Sequence, residues 1–172
     1  MKPPAIAAIE TPRLLLRPFT IDDAEAWLPL IALPEIVRYT GETPTTTIEG
    51  AREVLRSRPL HDYAAHGFGR MACIERASGR LVGFSGLKFV AHLGEVDIGY
   101  RFLPDCWGKG YATESASVLM AAGRREHGLQ RIVGQVDPAN HASVRVLVKL
   151  GLRFEKEFED EGELIHLYAS DC

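Results

Sequence analysis

The chain has 172 residues, 46% of them apolar and 25% charged, which is enough for one globular domain with a full core. Its formal net charge of −3 argues against a broad nucleic-acid-binding face. No apolar run is long enough to span a bilayer.

In chain order, "RLLLRPF" (13–19) predicts a first strand bounded by Pro12 and Pro18. The stretch "TIDDAEAWLPLI" offers Thr20 as an N-cap with acidic residues in the first turn. Pro29 and Pro34 predict short helical pieces after it rather than one rod. A turn at "TPTTT" leads into an exposed helix from about Thr47 to Arg58. The period then changes: "GFGRMACIERASGRLVGFSGLKF" alternates around a Ser78-Gly79 turn and predicts a hairpin. "GEVDIGYRFLP" (94–104) reads as a further strand, ended by Pro104. Residues 110–127 carry the strongest helical pattern, with small and apolar residues at 112, 116, 119, 120 and 123. "LQRIVGQVD" (129–137) is again a strand. "NHASVRVLVKLG" (140–151) is a helix with Asn140 as N-cap, Gly151 as stop, and Val144, Leu147 and Val148 on one face. Two alternating segments, "LRFEKEFED" and "ELIHLYAS", close the chain around a turn at Asp160, Glu161 and Gly162. No linker or repeat divides residues 1–172, and the order β-α-α-β-β-β-α-β-α-β-β predicts a single mixed α/β domain.

The three cysteines, Cys73, Cys106 and Cys172, are widely spaced, giving neither a disulfide framework nor a zinc site. "MKPPAIAAIETPR" lacks the apolar core of a signal peptide, so a cytoplasmic protein is expected. The chemistry is carried by "DCWGKGYATES" (105–115), where a strand, a glycine loop and a helix N-terminus meet. Unpaired amides and the positive end of the helix dipole make such a place an anion site. Two nucleotide loops fail on spacing. Lys109 is followed by Gly110 rather than Ser or Thr, and Thr113 stands where a dinucleotide loop needs Gly or Ala.

Residues 98–115, "IGYRFLPDCWGKGYATES", strongly resemble the acetyl-CoA loop of the GNAT superfamily of N-acetyltransferases. The branch it is most similar to is that of the ribosomal-protein-alanine (Rim-type) acetyltransferases and their small-molecule relatives. The likeness begins at "ETPRLLLRPFTIDDAEAW", takes in "EIVRYTG" and "GRLVGFSGL", and ends with "NHASVRVLVKLGLRFEKE". It implies a central mixed, mostly antiparallel sheet of about seven strands, flanked by about four helices. Strand 94–103 is then expected to splay from 131–137 in a V. The family's loop pattern, Gln/Arg-x-x-Gly-x-Gly/Ala, aligns with Trp107, Gly108, Lys109, Gly110, Tyr111 and Ala112, with Trp107 in the Gln/Arg place. The resemblance implies that amides from Trp107 to Thr113 hold the pyrophosphate of CoA, and that main-chain groups near Phe102 and Leu103 pair with the pantetheine arm. Asn140 and Ser143 match the family's Asn-x-x-Ser motif. Asn140 then either binds the CoA arm or caps its helix.

Acetyl transfer to an amine needs the amine neutral, the oxyanion stabilised and a proton returned to the departing thiolate. Many family members use a tyrosine from a "YEKLGF"-like stretch as the acid, but here "LVKLGL" puts Leu147 in its place and that acid is absent. Ser143 is the remaining candidate to hydrogen-bond the sulfur, unless it only binds local backbone. Asp97 and Glu95 are candidate bases acting through water, or else partners of Arg101 or Lys88. Family members transfer directly in a ternary complex, so Cys106 is not expected to carry the acetyl group. The histidines give no metal pattern, and His61 and His66 fall on different helix faces. His166 and Tyr168 share a strand face and line either the acceptor pocket or the core. The acidic stretch from Glu155 to Glu163 either attracts a cationic acceptor or is a solvated hairpin edge. The expectation is an acetyl-CoA-dependent N-acetyltransferase without metal, nucleic-acid or membrane partners, as monomer or homodimer. Its acceptor is a protein N-terminus or a small amine such as a polyamine, amino acid or antibiotic. A non-catalytic CoA-binding protein is the rival from another class.

Overall fold

Strands form where apolar residues alternate, and the alternation of Leu14 and Leu16 buries one face of the second of them. The computed structural model describes residues 6–40 and 42–170; the first five residues of "MKPPAIAAIETPR", Gly41 of "EIVRYTG" and Cys172 lie outside them. In chain order the strands are β1 (Ile9–Glu10), β2 (Leu14–Pro18), β3 (Arg70–Glu75), β4 (Leu81–Val90), β5 (Glu95–Phe102), β6 (Val133–Val136), β7 (Arg153–Asp160) and β8 (Glu163–Ala169). They make one mixed sheet in the order β1-β2-β3-β4-β5-β6-β8-β7. Every described neighbour pair is antiparallel except β5 and β6. The short β1 is the strand that the sequence pattern does not announce.

The helices are α1 (Ala24–Ala32), α2 (Pro34–Val37), α3 (Ile48–Leu55), α4 (His61–His66), α5 (Tyr111–His127) and α6 (His141–Lys149). Pro29 does not interrupt its helix as expected. It sits inside α1, where one amide is lost, but Trp27, Leu30 and Ile31 stay buried and the Leu33 amide still bonds the Pro29 carbonyl at 3.2 Å. Pro34 does make a break, and it opens α2 at the position where a missing amide costs nothing. The helix begun at Thr47 also runs past Arg58. A π turn over Arg56–Leu60 absorbs Pro59 and delivers the chain into α4.

The two faces of the sheet are covered separately. Phe19, Trp27, Leu30, Leu55 and Phe84 form the core under α1 and α3. On the other face Leu16, Val82, Phe102 and Leu119 pack beneath α5, and Ile98, Met120, Ile132 and Leu147 continue that layer under α6. Each fully buried side chain of this size contributes roughly 1.5–3 kcal/mol. α6 packs through the buried Leu147 with Val144 partly buried beside it, and Val148, expected on the same apolar face, is instead 56% exposed.

The sheet is incomplete at its centre. β5 pairs with β4 along its whole length, from Val90↔Glu95 to Gly83↔Phe102. It meets β6 only at Asp97↔Val133. Beyond that point the two strands part, giving the V-shaped opening. β6 is accordingly shorter than the segment 129–137 suggested.

Candidate active site

The Leu103 amide donates to Val82 O at 2.9 Å and sets the alternation of β5. Arg101, Gly99 and Asp97 therefore bond towards β4, while the main chain of Tyr100 and Phe102 faces the opening. This corrects the expectation for Leu103: its amide is committed to β4 and its carbonyl accepts from Cys106 N at 2.9 Å. Phe102 does face the opening, but its carbonyl already accepts from Trp107 Nε1 at 2.8 Å.

Asp97 sits at the apex, 6% exposed. Its Oδ1 accepts from the Gln135 amide at 2.9 Å and its Oδ2 from Arg70 Nη2 at 2.7 Å. Arg70 Nη1 also donates to the carbonyls of Asp97 and Gly86. Burial pushes the Asp97 carboxyl above the ordinary carboxylate range, against the pull of Arg70. The partner is thus Arg70, not Arg101 or Lys88. Arg101 instead holds Glu42 at 3.2 Å and Leu30 O at 3.0 Å. Glu95 lies on the closed side of the apex, ion-paired with Arg131 at 2.8 Å. The two carboxylates read as candidate bases are therefore not brought together with the opening.

On the other flank, Asn140 Oδ1 accepts from Ser143 N at 3.2 Å, which is the helix-capping role. Ser143 faces a residue that the sequence reading missed. The Tyr100 hydroxyl donates to Ser143 O at 2.9 Å and lies 3.1 Å from Ser143 Oγ. Alternation in "VDIGYRF" places Tyr100 on the face of Ile98 and Phe102, but no local spacing announces that α6 lies opposite. Leu147 is 1% exposed, and a Cβ at Gly134 would stand 2.5 Å from its Cδ2. Position 147 is therefore spent on seating α6 against β6.

The glycine loop follows a short 3-10 turn over Pro104–Cys106. The Trp107 amide bonds Pro104 O at 3.2 Å, so it is not the free donor expected, and the half-exposed indole latches the loop to β5. Gly108 and Gly110 have φ of 76° and 82°, conformations that favour glycine. The first amides of the 17-residue α5, at Tyr111, Ala112 and Thr113, lack intrahelical acceptors and point along the positive end of its dipole. Arg13, absent from the sequence reading, stacks 4.6 Å from the Tyr111 ring centre, and Lys109 Nζ lies 5.8 Å from it. Two cations thus flank the loop, although Arg13 also pairs with Glu114 at 2.9 Å. The set fits a diphosphate: amides from Gly108 to Thr113 with no loop or cap acceptor among the described residues, positive charge, and open space beside Gly108.

The remaining candidates take structural places. Cys106 is buried, and burial together with Asp105 raises its thiol pKa. Tyr168 packs with the core layer of Leu147, while His166 meets Glu157 at 3.4 Å and the Phe154 ring. Glu155 pairs with Arg131 at 2.6 Å. His66 packs on Phe68 and Phe89. Among the described residues there is no cluster of three or more His, Cys, Asp or Glu suited to a metal ion. Among them, too, no helix is long and apolar enough to cross a membrane.

Comparison with known proteins identifies the family. Residues 13–153 match the family described as acetyltransferase (GNAT) domain. The uncharacterized N-acetyltransferase YoaA of Bacillus subtilis (strain 168) is 33% identical over 150 residues, covering 87% of this chain and 83% of its own. The crystal structure of a GNAT-family acetyltransferase from Bacillus anthracis is 28% identical with a TM-score of 0.79, over 95% of this chain and 97% of that one. RimL, a ribosomal L7/L12 alpha-N-protein acetyltransferase in complex with coenzyme A, has a TM-score of 0.79 over 96% and 98% of the two chains. At 18% identity that last likeness is one of fold.

Proposed function

The chain belongs to the GNAT acetyltransferase family and is an N-acetyltransferase, and on that premise we propose that it transfers acetyl from acetyl-CoA directly to an α-amine at a protein N-terminus. The observation that carries the donor is the single-point pairing of β5 and β6, which leaves the main chain of Tyr100 and Phe102 facing a gap beside the glycine loop. Amides of Gly108 to Thr113, with Arg13 and Lys109, hold the diphosphate, and the open edge of β5 lies alongside the pantetheine arm. When bound, acetyl-CoA supplies an acetyl thioester. The Ser143 hydroxyl donates a hydrogen bond where the leaving sulfur departs.

The two carboxylates read as candidate bases are both engaged elsewhere: Asp97 has both oxygens hydrogen-bonded, and Glu95 lies beyond the apex paired with Arg131. An α-amine titrates near about 8 and is partly neutral at pH 7, whereas a lysine-type amine near about 10.4 is almost wholly charged. The α-amine needs little help. RimL, of the same fold, is described as acting on such an amine. A second reading, a small-molecule amine, is favoured by a cavity of about 250 Å³ lined by Ile31, Glu42, Thr43, Thr45, Val54 and Arg58. The enzyme is taken to act in the cytoplasm, as monomer or homodimer.

The test has two arms. Calorimetric titration with acetyl-CoA should give binding that a folded Gly110→Glu variant loses; no binding by the wild type overturns the donor. Peptides with free α-amines should be acetylated and their N-terminally blocked counterparts should not. Transfer to polyamines or amino acids alone would assign the small-molecule acceptor instead.

A further inference from the structure

Tyr100 reaches from β5 to the first turn of α6 and meets Ser143 at both its carbonyl and its hydroxyl, 2.9 and 3.1 Å away. A phenol has one proton, so it cannot donate fully to both. While Tyr100 donates to the carbonyl, its oxygen can accept the seryl proton. When the seryl proton turns to another acceptor, the phenol can donate to Ser143 Oγ instead. The pair is therefore a two-link chain whose direction is set by whatever else accepts from Ser143. Burial pushes the Tyr100 hydroxyl far above its ordinary pKa, so this donor stays protonated throughout the working range.

We propose that Tyr100 is a positioning residue for acetyl transfer, aiming the Ser143 hydroxyl at the leaving sulfur and supporting it with a second hydrogen bond. The inference rests on the reading of Ser143 given above. In the transfer step the amine nitrogen forms the C–N bond, and the C–S bond breaks with its electron pair on sulfur. The proton lost by nitrogen goes to water, and the thiolate is reprotonated from water. Tyr100 and Ser143 give up no proton, because a buried tyrosinate is disfavoured. A thiol of ordinary pKa, about 8.5, leaves readily enough that a hydrogen bond suffices. A phenol from the neighbouring strand thus stands behind α6, where the family's tyrosine is replaced by Leu147.

Kinetics of Tyr100→Phe, Ser143→Ala and the double variant test the chain, with acetyl-CoA and the best amine acceptor found. Each single variant should lower kcat about 5- to 10-fold or more, with KM for acetyl-CoA changed by less than about twofold. The double variant should be no slower than Ser143→Ala, because Tyr100 acts through Ser143. The Tyr100→Phe pH–rate profile should be lowered without moving. Wild-type kcat in Tyr100→Phe beside a slow Ser143→Ala, or a double effect equal to the product of the two, overturns the proposal alone. An undiminished Ser143→Ala overturns the underlying reading of Ser143. Binding supplies a second readout: CoA should bind more tightly than desulfo-CoA at pH 8.5, and equal affinities would overturn the reading of Ser143, whereas a preference retained in full by Tyr100→Phe would overturn the role of Tyr100.

Discussion

Asp97 Oδ1 accepts a hydrogen bond from the Gln135 amide, 2.9 Å away, across the place where β5 and β6 part. A side-chain carboxylate thereby stands where a sheet would ordinarily supply a backbone carbonyl. Arg70, reaching across from β3, holds its other oxygen. The apex of the opening is thus pinned by an ion pair whose members come from different strands.

Removing one member should be costly, because the other is left buried and uncompensated. Arg70→Met should lose about 3–5 kcal/mol of stability in urea unfolding. Asp97→Asn should weaken acetyl-CoA binding and turnover together, since it loosens the gap itself. Turnover lost at unchanged acetyl-CoA affinity would restore Asp97 to the role of base.

Acid should destabilise the fold through two other carboxylates. Burial pushes Glu42 up, but Arg101 and Arg58 outweigh it and hold the carboxyl below its ordinary value. Burial likewise opposes Arg17 and Thr20 at Asp23, and there too the net shift is downward. Lowered folded values mean stability that is present above the unfolded values, about 4, and lost as pH falls through the folded ones. The raised Asp97 works in the opposite sense: it favours the folded state at low pH and loses that favour as pH rises through its folded value. Urea midpoints should therefore fall below about pH 4, and Glu42→Gln or Asp23→Asn should flatten that fall. A wild-type midpoint unchanged down to pH 2 would contradict both assignments.

Trp107 gives an optical handle on the loop. It is half-exposed, whereas Trp27 is buried in the core under α1. Acetyl-CoA should change the emission of the wild type, and Trp107→Phe should abolish that change. Losing the indole bond to Phe102 O should also weaken acetyl-CoA binding about 5- to 10-fold. A full-size signal in Trp107→Phe would place the ligand away from this loop.

Much of the architecture was legible in the residues themselves. Alternation marked the strands around Ser78 and Gly79 and along 95–102, Asn140 declared its cap, Thr47 marked the start of its helix, and the glycines of the loop announced a backbone that other residues resist. These are local properties, written in dihedral preferences and periodicities over a few residues. What only the tertiary structure decided is which side chains meet. Arg70 and Asp97 are 27 residues apart, and Tyr100 and Ser143 are 43 apart. Their contacts depend on strand register and on α6 resting on Gly134 through Leu147. The same packing kept α1 helical through Pro29, left Val148 in solvent, and turned Asp97 from a candidate base into the pin of the opening. No spacing along the chain encodes a distance between elements, because that distance is fixed by the summed packing of both layers on the sheet.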